Sequence, residues 1–181
     1  MLDALLKSYQ GQKYFDFSIE GISRVLFRLP RFVGWGENTI SVGEHSLHVY
    51  GLAKAFEPEN YELQLYSLVH DFPEAVYNDI PSYAKHSLGE EAKVFLKTID
   101  CDLYSKLGIN WPKATIQKKV HALDMVALTR EAEYVFQSSF DPVDWPIDDG
   151  SLPEIRYDLE GCDCETLINT FNRLEVIVNG K

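Results

Sequence analysis

The chain has 181 residues, of which 45% are apolar, 13% aromatic and 25% charged, so residues 1–181 are expected to form one domain around a single core. Its formal net charge of −11 repels a polyphosphate backbone and an anionic lipid surface, which argues against a partner that is long nucleic acid or membrane. No apolar run approaches the roughly 20 residues that span a bilayer.

The N-terminal stretch Met1-Leu-Asp-Ala-Leu-Leu-Lys has an acid in it and no basic segment leading into a long apolar one. No signal peptide is expected, and the expected location is cytoplasmic. A first helix is predicted over 19–29, where Ile19, Ile22, Leu26 and Leu29 recur at steps of three and four before Pro30. Residues 31–43 read as a loop rich in glycine. A second helix is predicted from Glu44 to Phe56 and a third over 60–71, the latter apolar enough to be the central buried one. Pro73 suits the first turn of a short helix, and Asp71 with Glu74 has the spacing of a capping box.

Further helices are predicted at 89–107, 113–138 and 163–178, with a flap or wrapped surface segment over 141–161. Strand signals are few, so the expected class is all-α, with six or more helices around one core. Cys101 reads as a small packed residue. Cys162 and Cys164 are too close for an ordinary disulfide and lack a second pair for a zinc knuckle. The apolar stripe of Leu167, Ile168, Phe171, Leu174 and Val178 reads as core or as an interface.

Only five histidines exist, and two stand at predicted helix ends: His45 opens one helix and His70-Asp71 closes the next. Asp124 falls in an apolar helical stretch, where a buried carboxylate must be paired or metal-bound. Two imidazoles and two carboxylates make a mixed nitrogen and oxygen set suited to Zn²⁺, Mn²⁺, Co²⁺ or Fe²⁺ with positions left for water. The order is His, then His-Asp 25 residues on, then Asp 54 residues further, a pattern that resembles the HD-domain metal phosphohydrolases.

The resemblance extends beyond the ligands, over about residues 13–135. Ser41-Val-Gly-Glu-His45-Ser-Leu-His-Val is similar to the first-ligand motif of the YfbR-like 5'-deoxynucleotidases and of the phage dATP triphosphohydrolases of the DatZ branch. Leu68-Val-His70-Asp71-Phe-Pro-Glu74 through Asp79-Ile-Pro to Lys85 resembles their second block, Ala122-Leu-Asp124 their last ligand, and Arg28-Leu-Pro-Arg31 their substrate-side arginine segment. The resemblance implies an HD-domain bundle whose metal ligands are His45, His70, Asp71 and Asp124. Glu74, with Asp71, would be catalytic by orienting the attacking water, and Asp79 would meet the sugar 3'-hydroxyl. Arg28, Arg31 and Lys85 would face phosphate, and a second ion, Mg²⁺, is an option there.

Phe32, Val33 and Trp35 could pack on a base. Leu29 stands where the bacterial deoxynucleotidases carry a Trp that helps to select deoxyribose. His48 reads as a partly buried helix histidine, with a metal or phosphate contact as the alternative. His121 and Glu131 share roughly the face of Asp124 and carry no assigned role, and His86 neighbours Lys85. The implied activity is hydrolysis at the 5' α-phosphate of a small deoxynucleotide, in host cytoplasm if the chain is phage-encoded. The product released with the deoxynucleoside would be phosphate or, on a phage-type chain, triphosphate, with dATP an option. A homo-oligomer is expected from the same family. The alternative is a nucleotide-sensing module of the same fold without turnover. A cyclic-dinucleotide or ppGpp hydrolase fits less well, since the second block lacks their longer motifs.

Overall fold

The computed structural model describes residues 7–9, 11, 13–145 and 161–180. The helices are α1 (Ile19–Leu26), α2 (Val42–Phe56), α3 (Tyr61–Val69), α4 (Glu74–Tyr77), α5 (Ser82–Ser87), α6 (Glu90–Lys106), α7 (Ala114–Phe136) and α8 (Cys164–Asn179). Among the described residues there is no strand beyond one isolated bridge between Pro30 and Ser41, so the fold is all-α. No described helix is long and apolar enough to cross a membrane.

Every residue of α3 from Leu63 to Val69 is buried, as its apolar sequence predicts, because α2, α7 and α8 all pack against it. One core runs through Leu26, Leu52, Leu68, Phe72, Leu103, Leu123 and Leu174. The α8 stripe belongs to that core: Leu167, Phe171 and Leu174 are buried, and Ile168 and Val178 pack beside them. Residues 146–160 of the expected flap, and most of the N-terminal stretch, lie outside the described residues.

Local chemistry moves several expected boundaries. Helix α2 starts at Val42, two residues early, because Ser41 caps it. Ser41 Oγ accepts from Glu44 N at 3.2 Å, and Glu44 Oε2 accepts from Ser41 N at 2.6 Å. The expected box at Asp71 and Glu74 does not form: Pro73 precedes α4 with no side-chain cap, and both carboxylates are used elsewhere. Helix α5, which carries Lys85, was not anticipated. Cys101 is exposed rather than packed.

Between α1 and α2 the chain makes a closed loop. Arg31 N donates to Ile40 O and Val42 N to Leu29 O, each at 2.9 Å, which ties its two ends together. At its tip Phe32 and Val33 both take left-handed backbone angles, φ 54° and 56°, an uncommon conformation for side chains of this bulk. The far side of the loop is clipped to the end of α7, where Glu37 N and Asn38 N both donate to Val135 O. Gly36 makes this close approach possible, with φ 115° and space for no side chain: a Cβ there would meet Val135 Cγ1 at 2.3 Å and Val135 O at 2.7 Å.

Gly36→Ala is therefore expected to destabilise the fold by about 2 kcal/mol, the cost typical of overpacking. A urea melt would measure it, and an unchanged midpoint would mean that the clip contributes nothing.

Candidate metal centre

Three helices deliver the cluster. His45 sits in the first turns of α2, His70 and Asp71 follow the last turn of α3, and Asp124 lies midway along α7; α2, α3 and α7 all pack against one another. His45 Nε2 lies 3.2 Å from His70 Nε2, 3.2 Å from Asp124 Oδ1 and 3.3 Å from Asp71 Oδ2. His70 Nε2 is 3.3 Å from Asp71 Oδ2 and 3.9 Å from Asp124 Oδ1. Donors about 2.1 Å from one cation lie about 3.0 Å apart at right angles and about 4.2 Å when opposed. The spacing fits a shared ion, and His45, His70 and Asp124 can hold one, their ligand atoms all lying within 4.8 Å of one another. The donor set is imidazole and carboxylate, which suits a divalent transition metal.

The groups behind the cluster orient it. His70 Nδ1 is 2.9 Å from Ser67 O, so that nitrogen carries the proton and Nε2 faces the cluster. His45 Nδ1 is 2.9 Å from Glu131 Oε1, and His48 Nδ1 is 2.8 Å from the same oxygen. His48 is thus a buried packing histidine that bonds Glu131. Arg31 was expected at phosphate. Its guanidinium lies 3.2 Å from Glu131 and 3.4 Å from Asp71, and it lines the pocket described next.

A pocket of about 760 Å³ opens on one side of the cluster. Asp71, Asp124, Glu74, Asp79 and Lys85 line its polar end, and Arg31 reaches the same wall. Lys85 Nζ donates to Glu74 Oε1 at 3.0 Å, while Glu74 Oε2 is buried with no hydrogen-bond partner. The apolar end is aromatic. Phe32, Phe136 and Trp145 form a triangle with ring centroids 5.4 to 5.9 Å apart, and exposed Trp35 and Val33 stand at its margin.

Arg28 is not brought into this pocket. It is exposed and lines a separate, smaller groove of about 180 Å³ with Tyr14, Arg24 and Ala75. The reason is the turn at 27–30: α1 ends at Leu26, so Arg28 and Arg31 leave the chain on different sides of Pro30. His121 and His86 are exposed on their helices and take no part in the cluster.

Glu131, Phe136 and Trp145 complete the site without having been assigned to it. Two turns after Asp124 in an apolar stretch, Glu131 carried a usable signal, since a carboxylate on a buried face needs partners. Trp145 carried none, because its place depends on the reversal of the chain after α7, where Gln137 has φ 37°.

Protein charges alone set the proton inventory of the cluster. Burial opposes charging of the histidines, but the surrounding carboxylates outweigh it and push His70 up to about 9 and His45 well above its ordinary value. With their Nε2 atoms 3.2 Å apart the two cannot both hold a proton there, so the pair retains one between them at neutral pH. Burial raises Asp71 and Asp124, and the same histidines more than reverse it. Burial with Asp71 pushes Glu74 up to about 8 against the pull of Lys85. Glu131 is held down to about 2, since His45 and Arg31 outweigh its burial. A divalent cation would take the place of the shared proton and favour ionised Glu74.

The chain matches no family model and no curated protein.

Because the imidazoles must be neutral to bind metal, loading at pH 7 is expected to release at least the proton held by the imidazole pair, with ionisation of Glu74 adding to it. Affinity should therefore tighten as pH rises from 6 towards 9. Calorimetric Zn²⁺ or Mn²⁺ titrations in buffers of different ionisation enthalpy count that proton; a heat independent of buffer would contradict the assignment.

Proposed function

We propose that the protein is a metal-dependent phosphohydrolase of deoxynucleotides, cleaving at the 5' α-phosphate to release the deoxynucleoside with phosphate or triphosphate. The observation that carries this reading is Glu74 Oε2, a buried carboxylate oxygen without a partner, on the pocket wall beside a cluster of imidazole and carboxylate donors. The HD-like order of those donors in the chain supports it. In this reading His45, His70, Asp71 and Asp124 hold Zn²⁺, Mn²⁺, Co²⁺ or Fe²⁺. The bound ion supplies Lewis acidity toward a phosphate oxygen and lowers the pKa of water.

The side chains do the rest. Glu74 Oε2 accepts a hydrogen bond from the attacking water and takes its proton as the water oxygen bonds to phosphorus; the bond from phosphorus to the 5'-oxygen breaks, and the departing deoxynucleoside oxygen takes up a proton from Glu74 or from solvent. Lys85, held on Glu74 Oε1, fixes the orientation of that carboxylate and offsets charge that develops on the phosphoryl oxygens. Asp79 on the same wall accepts from a sugar hydroxyl. The base lies against Phe32, Phe136 and Trp145, whose faces exclude water from one side of the site. Arg28 stands in another groove, whereas Arg31 lines the pocket wall while it faces Glu131 and Asp71, so of the two arginines only Arg31 is placed to meet a phosphate.

Incubating the purified protein with each dNMP and dNTP plus Mn²⁺, Co²⁺ or Zn²⁺, with chromatography of the products, tests the reading and distinguishes release of phosphate from release of triphosphate. Glu74→Gln is expected to lower turnover about 10²- to 10⁴-fold while metal and nucleotide binding change little. Unchanged turnover would remove Glu74 from the mechanism. Nucleotide binding without cleavage by any metal form would mark a sensing module instead.

A further inference from the structure

Glu131 is fully buried on α7, and no step above uses it. A carboxylate is costly to bury alone, and this one is compensated three times, by His45 Nδ1 at 2.9 and 3.0 Å, by His48 Nδ1 at 2.8 Å and by Arg31 Nε at 3.2 Å. An ionised carboxylate has no proton to give, so both imidazoles donate to it from Nδ1. For His45 that leaves the lone pair on Nε2, the atom that stands 3.2 to 3.3 Å from His70, Asp71 and Asp124. Arg31, whose Nε lies at ion-pair distance from Glu131 Oε2 without making a hydrogen bond, places Nη1 3.4 Å from Asp71 Oδ2. One buried charge therefore acts on two members of the cluster by separate routes.

We propose that Glu131 is the positioning residue of the metal centre: it fixes the tautomer of His45 directly and the carboxylate of Asp71 through Arg31, and so sets metal affinity without touching metal or substrate. The inference rests on the metal site of the reading above and not on hydrolysis. A role confined to packing would need only a group that satisfies Arg31 and fills the space. A glutamine nearly does so, yet it offers one acceptor oxygen in place of two and no charge to hold the guanidinium.

The test is a Zn²⁺ titration of the full chain against a competing chelator. Glu131→Gln is expected to weaken Zn²⁺ binding 10- to 100-fold, the range found when groups that orient a ligating histidine are removed. His48→Gln perturbs the same buried carboxylate from the side away from the cluster, and is expected to leave Zn²⁺ affinity within about threefold while lowering thermal stability. Equal affinity losses in the two variants, or a Glu131→Gln affinity within twofold of wild type, would overturn the proposal.

The wild-type protein supplies a second measurement should Glu131→Gln not fold. Proton–nitrogen correlation spectra of the Zn²⁺-loaded chain should show His45 with a proton on Nδ1 and none on Nε2, and the opposite tautomer would overturn the proposal. None of these readouts uses turnover. Failure to cleave any nucleotide with the expected affinities intact would defeat the proposed reaction and leave this one standing, whereas a wild-type chain that binds no Zn²⁺ would defeat this proposal.

Discussion

A charge leaves water only where other charges meet it, and in this chain that meeting happens between α2, α3 and α7. Arg31, His45, His48, Asp71, Asp124 and Glu131 lie within one continuous set of contacts of 2.8 to 3.4 Å. Remove any one and its neighbours are left buried and unpaired, which costs far more than an ordinary surface contact. The packing of the three helices and the polarity of the cluster are thus one constraint. Helix α3, buried along its length from Leu63 to Val69, brings α2 and α7 together, and the acids and histidines at their contact face lock that arrangement.

The same constraint reaches the pocket through Arg31. Its guanidinium is anchored inward on Glu131 and Asp71, and its backbone starts the turn in which Phe32 and Val33 adopt left-handed angles. Such a conformation persists only where its surroundings over-determine it, and here the loop is tied at Ile40, at Leu29 and again at Val135. The outcome is an aromatic wall, Phe32 against Phe136 and Trp145, facing the polar end that holds Glu74 and Lys85.

Charge bookkeeping around the pocket follows. Its acids outnumber its cations, and of the cations Arg31 is neutralised from behind and Lys85 is paired with Glu74. A phosphate approaches such a wall only if a cation at the imidazole cluster reverses the local field. The acidity that turns away long polyanions is, at this point, the set of donors that would attract a cation.

Much of this was legible in order and period alone. The apolar repeat of three and four residues places α1, α3, α6, α7 and α8 within a few residues of their observed bounds, and the His, His-Asp, Asp order selects the donors that the fold brings together. These are local properties, because a helix is written in neighbouring residues and a ligand announces itself by its chemistry. Tertiary structure alone decided the partners. It turned Arg31 inward and left Arg28 outside, since Pro30 and the closure of the 31–41 loop set their directions. It put Glu131 beneath His45 and Trp145 across from Phe32, because those contacts join segments about 86 and 113 residues apart, and no local pattern records which distant side chain will be there when the helices meet.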